Sequence, residues 1–233
     1  FSKLWWGVRL SHPAPMKTVF ITGISKGIGK ALAEKFLNEN YFVIGTSLTG
    51  DVDFIHDNLR VFKLDLLDPK SIEACAKSLR DFGKNIDIHI NNAGALYDEG
   101  EKVIVIEKLR KTLEVNLIGP IDLTEKILPL INDGGHIINI SSSAGSLEKV
   151  HHADYPAYKI SKCALNMFTT YLAFRLKDKI TVSSIHPGRV KTDMGAWEGD
   201  MTADESAQYI FETATKKDIE TGQFWFKGEK FPW

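Results

Sequence analysis

The segment Thr22-Gly23-Ile24-Ser25-Lys26-Gly27-Ile28-Gly29 follows a short β-forming run and precedes a helical pattern. Its TGxxxGxG spacing predicts a tight strand-to-helix turn, in which Gly23 allows the sharp bend. Gly27 leaves room for a pyrophosphate, Gly29 lets the helix pack on the sheet, and the helix N-terminus offers unpaired N–H groups to phosphates. A plain turn without a ligand is the alternative, because the spacing differs from the commoner GxGxxG fingerprint.

Short apolar runs and helical patterns alternate through the rest of the chain. The predicted strands cover residues 18–22, 41–46, 59–64, 86–90, 136–141, 180–185 and 222–227, and the predicted helices cover 28–39, a segment opened by Asp68-Pro69, 103–130, 158–177 and 204–214. We expect a kink at Gly119-Pro120 and a loop at Asp133-Gly134-Gly135. The alternation predicts a single α/β domain over residues 16–233, with a parallel sheet, right-handed crossovers and helices on both faces.

Composition and charge narrow the classes of function. Hydrophobic residues make up 43% of the chain and charged residues 25%, which is typical of a soluble globular protein. The 29 Lys and Arg nearly balance the 30 Asp and Glu, so no charge excess attracts nucleic acid or an anionic membrane. Cys75 and Cys163 provide no disulfide framework, and no apolar run is long enough to span a bilayer. A cytoplasmic location is therefore expected.

The first fifteen residues, FSKLWWGVRLSHPAP, are treated separately from the domain. They lack the apolar core and the small-residue cleavage site of a signal peptide. We expect Met16 to be the natural start and residues 1–15 to be a cloning-derived extension. An amphipathic arm that docks through its leucine and tryptophan side chains is the alternative.

Polar residues follow the second and third predicted strands, where ligands bind in sheets of this kind. Thr46-Ser47-Leu48 contains no acid that would hold the ribose hydroxyls of NAD or repel a 2′-phosphate. Lys26 and Ser47 are candidates to bind that phosphate, so the sequence favours NADP(H) over NAD(H). Asp65, after the third strand, either binds an adenine edge or caps the following turn.

Two further clusters follow the fourth and sixth predicted strands. Asn91-Asn92-Ala93-Gly94 leaves room for an adenosine group, and its amides are able to tie neighbouring strands together. The segment 186–192, HPGRVKT, contains a Pro187-Gly188 turn and places Thr192 near a nicotinamide amide. Both clusters also fit ordinary turns without a ligand.

Tyr158 and Lys162 lie four residues apart and therefore share one face of a helix. A phenol with a pKa of about 10 is a weak acid and base at neutral pH, and a nearby cation moves this pKa towards the working range. The rival pair Tyr155 and Lys159 has the same spacing. Pro156 argues against that pair, because the residue before a proline is pushed into extended geometry outside the helix.

Ser142 and Asn116 are two further candidates for chemistry. Ser142 follows the fifth strand and either hydrogen-bonds a substrate carbonyl or caps the turn at Ala144-Gly145. Asn116 is polar within an apolar helical stretch, so it either faces solvent or is buried and holds a water in a proton relay. The seven histidines show no ligand spacing, and no metal site is expected.

Six motifs stand in a family-specific order: TGISKGIG, NNAG, Asn116, INISS, YKISK and HPGRVKT. In this order the chain, from Met16 onwards, resembles the short-chain dehydrogenase/reductase superfamily. The C-terminal segments TADESA and TGQFWFKGEKFPW are similar to the subgroup of the sniffer carbonyl reductases and the bacterial C-factor signalling protein.

The resemblance implies a Rossmann-like, doubly wound parallel sheet of about seven strands. It also implies an oxidoreductase that transfers hydride between NADP(H) and a small carbonyl or alcohol. Tyr158 would be the general acid and base, and Lys162 would lower its pKa and bind the nicotinamide ribose. Ser142 would position the carbonyl oxygen, and Asn116 would complete a water relay. The expected cofactor-binding residues are Gly23, Ser25, Lys26, Gly27, Ile28, Gly29, Ser47, Asp65, Leu66, Asn91, Ala93, Gly94, Tyr158, Lys162, Pro187, Gly188, Val190 and Thr192.

The resemblance to C-factor keeps a second class of function open, an NAD(P)(H)-binding signalling or regulatory protein that acts through a partner. Family members often associate through two long helices, so a homodimer or homotetramer is an option. The apolar residues Leu165, Phe168 and Leu172 fit either that interface or packing on the sheet. Tyr97, His152 and Trp197 are the expected walls of an apolar substrate pocket.

Overall fold

Strands and helices alternate along the chain, as the sequence pattern predicts. The computed structural model describes residues 15–150, 152–191 and 199–233. The strands are β1 (Thr18–Ile21), β2 (Phe42–Ser47), β3 (Leu59–Lys63), β4 (Ile86–Asn91), β5 (Ile131–Ile140), β6 (Thr181–Ile185), β7 (Gln223–Phe226) and β8 (Glu229–Lys230). The helices are α1 (Gly27–Asn38), α2 (Pro69–Phe82), α3 (Ile106–Leu113), α4 (Gly119–Ile127), α5 (Pro156–Leu176) and α6 (Ala203–Thr215).

The strands form one sheet in the order β3-β2-β1-β4-β5-β6-β7-β8. All neighbours pair in parallel except β7 and β8, which are antiparallel. The strand order reverses between β1 and β4, so the carboxyl ends of these strands border a crevice. This confirms the Rossmann-like, doubly wound α/β fold. Among the described residues the sheet has eight strands, one more than predicted. The additional strand, β8, was not predicted because its two residues are too short to leave a sequence pattern.

Two hydrophobic cores lie on opposite faces of the sheet. One contains Leu32, Phe36 and Ile210 from α1 and α6, and the other contains side chains of α2, α4 and α5. Leu165 and Leu172 of α5 belong to this second core, together with Phe168. These three residues therefore pack on the sheet, which was one of the two roles that the sequence allowed.

Two segments differ from the predicted elements. The predicted loop 133–135 lies within β5, where Ile86 pairs with Ile131 but Ile88 pairs with His136, so the residues between them bulge out of the ladder. The predicted kink at Gly119-Pro120 follows a π-helical turn at Glu114–Ile118, and α4 then begins at Gly119. The backbone is helical from α3 through this π-helical turn into α4, so Pro120, which has no N–H, lies inside a continuous helical segment directly after the wider turn.

Several expectations fall on residues outside the described ranges. These are the extension 1–15 except for Pro15, together with Thr192 and Trp197. Within the described ranges, the helices are all too short or too polar to cross a membrane.

Candidate active site

A cleft of about 740 Å³ opens at the carboxyl ends of the central strands. Its walls come from the glycine-rich turn and from the segments that follow β2, β3, β4, β5 and β6. The expected cofactor residues that line it are Gly23, Ser25, Lys26, Gly27, Ile28, Gly29, Ser47, Asp65, Leu66, Ala93, Gly94, Tyr158, Lys162 and Pro187. Asn91, Gly188 and Val190 are not among the lining residues, and Thr192 lies outside the described ranges.

The glycine-rich turn fits a dinucleotide pyrophosphate. A Cβ on Gly29 would lie 2.0 Å from Gly23 O, so only glycine allows α1 to approach the turn this closely. Gly23 and Gly27 both have positive φ angles, which other residues rarely adopt. The Lys26 side chain makes no capping hydrogen bond to α1, and the N–H groups of a helix N-terminus suit a phosphate group.

The cleft-lining residues at or just after the ends of β2 and β3 make hydrogen bonds within their own turns. The Ser47 hydroxyl donates to Asp51 O at 2.8 Å and accepts from Gly50 N at 2.9 Å. Its hydrogen is therefore used within the protein in this structure, and the bond from Ser47 to a 2′-phosphate stays a prediction. Asp65 Oδ1 accepts from Leu67 N at 2.9 Å, so its carboxylate caps the turn while the residue lines the cleft.

Asn91 and Asn92 have different positions, although the sequence treated them as one motif. Asn92 lines the cleft, and its Nδ2 donates to Thr22 O and Gly23 O at 2.9 and 3.1 Å, which fixes the glycine-rich turn to β4. Asn91 is 3% exposed, and its Nδ2 donates to Thr124 Oγ1 and Asn139 Oδ1. The Asn91 side chain therefore ties β4 to its neighbour β5, as the sequence predicted for the amides of this segment.

A chain of buried polar side chains continues from Asn91 beneath the site. Its hydrogen bonds, 2.8 to 3.0 Å long, run through Asn91, Asn139, Thr169, Ser184 and Asn166. Asn166 Nδ2 then donates to Gly145 O at 3.2 Å, in the turn that follows Ser142. The network therefore connects β4, β5, β6 and α5 to the loop that carries a predicted catalytic residue.

Tyr158 and Lys162 meet in the first turns of α5, on the cleft wall. Lys162 is 4% exposed, and its Nζ donates to Ile140 O at 2.8 Å and lies 5.6 Å from the Tyr158 ring centroid. Burial raises the pKa of Tyr158 to about 12, and a hydrogen bond with the Ser142 side chain acts in the opposite direction. Burial also lowers the pKa of Lys162 to about 8.

These pKa values change one expectation from the sequence. The expected lowering of the phenol pKa by Lys162 is not found in the chain by itself, because burial of Tyr158 outweighs the effect of its neighbours. At neutral pH, Tyr158 is a protonated phenol and Lys162 is mostly an ammonium. The pair therefore consists of a proton donor beside a cation.

Ser142 caps the turn that follows it, which is one of the two roles that the sequence allowed, and its bond to a substrate carbonyl stays a prediction. Its Oγ accepts from Ala144 N at 3.1 Å and so caps the turn at Ser143–Gly145. The same side chain hydrogen-bonds Tyr158. Ser142 is therefore held beside the phenol by the turn that it caps.

Asn116 is buried in the π-helical turn, 1% exposed, so it does not face solvent. Its Oδ1 accepts from Ala95 N at 2.7 Å, and its Nδ2 donates to Ala95 O at 2.8 Å and Ser161 Oγ at 3.1 Å. The amide thus ties the segment after β4 to α5, directly beside Lys162. The water relay stays a prediction.

Asp98 is a residue of the site that the sequence did not reveal. It is 2% exposed, and its Oδ2 accepts from Ala157 N at 2.6 Å and from Tyr158 N at 3.4 Å. It therefore caps α5 from a separate segment, 59 residues before Ala157. Tyr155 precedes the helix but supplies no cap, and its φ of 45° and ψ of 57° are left-handed rather than extended as predicted.

The rival pair Tyr155 and Lys159 lies outside the lining of the cleft. The Tyr155 hydroxyl is 3.1 Å from His152 Nε2, and Lys159 Nζ lies 5.0 Å from the Tyr155 ring centroid. Of the expected pocket walls, Tyr97 lines the cleft and His152 does not.

Comparisons with known proteins agree with this architecture. Residues 17–215 match the family model of the short chain dehydrogenases. The 3-oxoacyl-[acyl-carrier-protein] reductase FabG of Vibrio cholerae is 32% identical over 186 residues, which are 76% of this chain and 75% of that protein. The NADPH-bound carbonyl reductase from chicken fatty liver has a TM-score of 0.83 at 28% identity, covering 94% of this chain and 99% of its own. The carbonyl reductase Sniffer of D. melanogaster has a TM-score of 0.83 at 25% identity, and the match covers 94% of this chain and 100% of the Sniffer chain. The chain therefore belongs to the short-chain dehydrogenase family, the NAD(P)-dependent dehydrogenases and reductases, and it resembles the carbonyl reductases among them.

Proposed function

We propose that the chain reduces small carbonyl compounds with NADP(H), using Tyr158 as the general acid, and as the base in the reverse reaction. The observation that carries this proposal is the placement of Tyr158 and Lys162 together on the lining of the cleft, with the Ser142 side chain hydrogen-bonded to Tyr158. The glycine cradle at the other end of the same cleft supports cofactor binding. Cofactor and proton donor thus share one cavity.

The side chains have complementary tasks in the proposed reduction. NADPH supplies a hydride to the carbonyl carbon when it is bound. Tyr158 Oη gives its proton to the carbonyl oxygen, and the Ser142 hydroxyl donates a hydrogen bond to the same oxygen. The Lys162 ammonium stabilises the phenolate that Tyr158 becomes, and Asn116 would hold a water through which the phenolate recovers its proton.

Replacement of one hydroxyl tests the assignment of the acid. Tyr158→Phe is expected to lower kcat about 10²- to 10⁴-fold and to leave the Kd of NADPH within about twofold of wild type. Tyr155→Phe is the matched control, because it removes the hydroxyl of the rival tyrosine, and wild-type turnover is expected. Retained turnover in Tyr158→Phe would overturn the proposal. Binding of NADPH without turnover across a panel of aldehydes, ketones and quinones would favour the signalling alternative.

We also propose a preference for NADP(H) over NAD(H). The turn after β2 offers no carboxylate at Thr46, Ser47 or Leu48, and Lys26 is an exposed cation on the lining of the cleft. The Ser47 hydrogen is bonded to Asp51 O, so a substitution of Lys26 is the more direct test of the preference. Lys26→Ala is expected to raise the KM for NADPH about tenfold or more and to leave that for NADH nearly unchanged. Equal changes with both cofactors would contradict this assignment.

The apolar part of the cleft lining supports a small apolar carbonyl substrate. Leu96, Tyr97 and Val115 line the cleft with apolar surface. Apolar walls reward apolar groups on a ligand through the surface that they remove from water. Aromatic and aliphatic aldehydes are therefore expected to give higher kcat/KM than charged carbonyls of similar size, and the reverse order would exclude this substrate class.

For the assembly and location we propose a homo-oligomer in the cytoplasm. The face of α5 turned away from the sheet exposes Met167, Tyr171 and Phe174, with 69%, 56% and 79% of their surfaces accessible. Such an apolar strip is typical of an interface. Light scattering is expected to give a dimer or tetramer that Phe174→Glu weakens, and a monomeric wild type would overturn this proposal.

A further inference from the structure

His186 follows β6 directly and lies between two loops that border the cleft. It is 7% exposed, and its ring packs against Phe226 and Phe231, at centroid distances of 4.7 and 5.3 Å. Its Nδ1 accepts from Ser143 N at 3.2 Å and from Gly188 N at 3.3 Å. Ser143 follows Ser142, and Gly188 follows Pro187, which lines the cleft, so one ring atom contacts both loops.

The contacts of the ring determine its protonation state. Two N–H groups point at Nδ1, which must therefore carry a lone pair, and the ring proton lies on Nε2. Burial lowers the pKa of His186 to about 4, so the neutral ring persists throughout the neutral pH range. An imidazolium at this position would lose both hydrogen bonds.

The backbone of His186 is held as firmly as its ring. Its N–H donates to Trp225 O at 2.9 Å, which joins it to β7. Its carbonyl oxygen accepts from the Tyr209 hydroxyl of α6 at 2.8 Å. These backbone bonds hold the ring of His186 in one position, so its Nδ1 is a fixed acceptor for the two loops.

We propose that His186 is a positioning residue, a neutral acceptor that couples the loop of Ser142 to the loop of Pro187 and Gly188. The first loop carries the Ser142 side chain that hydrogen-bonds Tyr158, and the second contributes Pro187 to the lining of the cleft. Because Nδ1 accepts hydrogen bonds from Ser143 N and Gly188 N, it holds the two loops at a constant distance from each other. The catalytic consequence rests on the proposed reductase function, whereas the coupling of the loops does not.

Two nearly isosteric substitutions separate the acceptor from the packing of the ring. His186→Asn and His186→Leu both remove the aromatic ring, but only Asn places an oxygen close to the position of Nδ1. His186→Leu is expected to lower kcat about 10- to 100-fold, and hydrogen exchange at the Ser143 and Gly188 amides is expected to become at least about tenfold faster. His186→Asn is expected to stay within about threefold of wild type in both measurements.

A third variant keeps the test valid if His186→Leu does not fold. His186→Gln is polar, but its oxygen reaches the region of Nε2 instead of Nδ1, so it is expected to behave like His186→Leu. Equal behaviour of the Asn, Gln and Leu variants would overturn the proposal and leave ring packing as the role of His186. If wild type turns over no carbonyl substrate, the reductase proposal fails, while exchange at the two amides still decides whether His186 couples the loops.

Discussion

Lys162→Met is expected to stabilise the fold while it abolishes turnover. Burial lowers the pKa of Lys162 from its ordinary value of 10.5 to about 8. This difference, at about 1.36 kcal/mol for each pKa unit, corresponds to roughly 3 kcal/mol by which burial disfavours the ammonium at pH 7. Met removes that cost but leaves Ile140 O without the Lys162 hydrogen bond, a loss of about 1 kcal/mol. The net expectation is a free energy of unfolding about 2 kcal/mol higher than wild type.

The pH dependence has a definite sign. Because the folded chain holds the Lys162 proton more weakly than the unfolded chain, the unfolded state binds more protons between the two pKa values. In wild type, the loss of stability caused by the buried Lys162 ammonium therefore has its largest value below pH 8. It decreases as the pH rises and is absent above the ordinary pKa of 10.5. The advantage of Lys162→Met is expected to fall from about 2 kcal/mol at pH 7 to about 1 kcal/mol at pH 9.

Urea unfolding followed by tryptophan fluorescence at both pH values measures this difference. Lys70→Met is the matched control, because Lys70 is exposed in the first turn of α2. Lys70→Met is expected to change the free energy of unfolding by no more than about 0.5 kcal/mol, and by the same amount at both pH values. The reasoning is refuted if Lys162→Met is less stable than wild type at pH 7, or if its advantage does not shrink at pH 9.

Substitutions at three further positions test other contacts of the site. Gly29→Ala is expected to weaken NADPH binding at least about a hundredfold in a fluorescence titration, because the new Cβ would meet Gly23 O at 2.0 Å; unchanged binding would exclude the glycine cradle. Asp98→Ala removes the acceptor of Ala157 N and is expected to lower the free energy of unfolding by about 1–2 kcal/mol, with Asp98→Asn closer to wild type. Asn139→Leu leaves buried partners unpaired and is expected to cost about 2–4 kcal/mol in the same assay. A decrease of less than about 0.5 kcal/mol in the free energy of unfolding of Asn139→Leu would show that the buried network contributes little to stability.

Features that depend on neighbours in the chain could be predicted from the sequence. Three such features lie close to their expected positions: the long helix α5, the Asp68 N-cap of α2 and the glycine-rich turn before α1. Tyr158 and Lys162 belong to the same group, because a spacing of four residues fixes their relation on any helix. In each case the interacting residues are separated by no more than one or two helical turns.

Features that depend on tertiary packing could not be predicted. Asp98 caps a helix that begins 58 residues later, and His186 accepts from Ser143 across two strands of the sheet. Neither residue type carries a local signal for such a contact. The pKa of Tyr158 illustrates the same limit, because the sequence gives its charged neighbour but not how much water surrounds it.

Burial acts on Tyr158 and Lys162 in opposite directions, and both changes favour the neutral form of each side chain. Carbonyl reduction needs the phenol protonated, and a pKa of about 12 keeps it so throughout the neutral range. Alcohol oxidation needs the phenolate, which the same burial disfavours. Since one desolvated wall sets both pKa values, any change that admits water there lowers the pKa of Tyr158 and raises that of Lys162 together. In the proposed reduction, the same burial that keeps Tyr158 protonated also destabilises the Lys162 ammonium, and Lys162→Met removes that destabilisation.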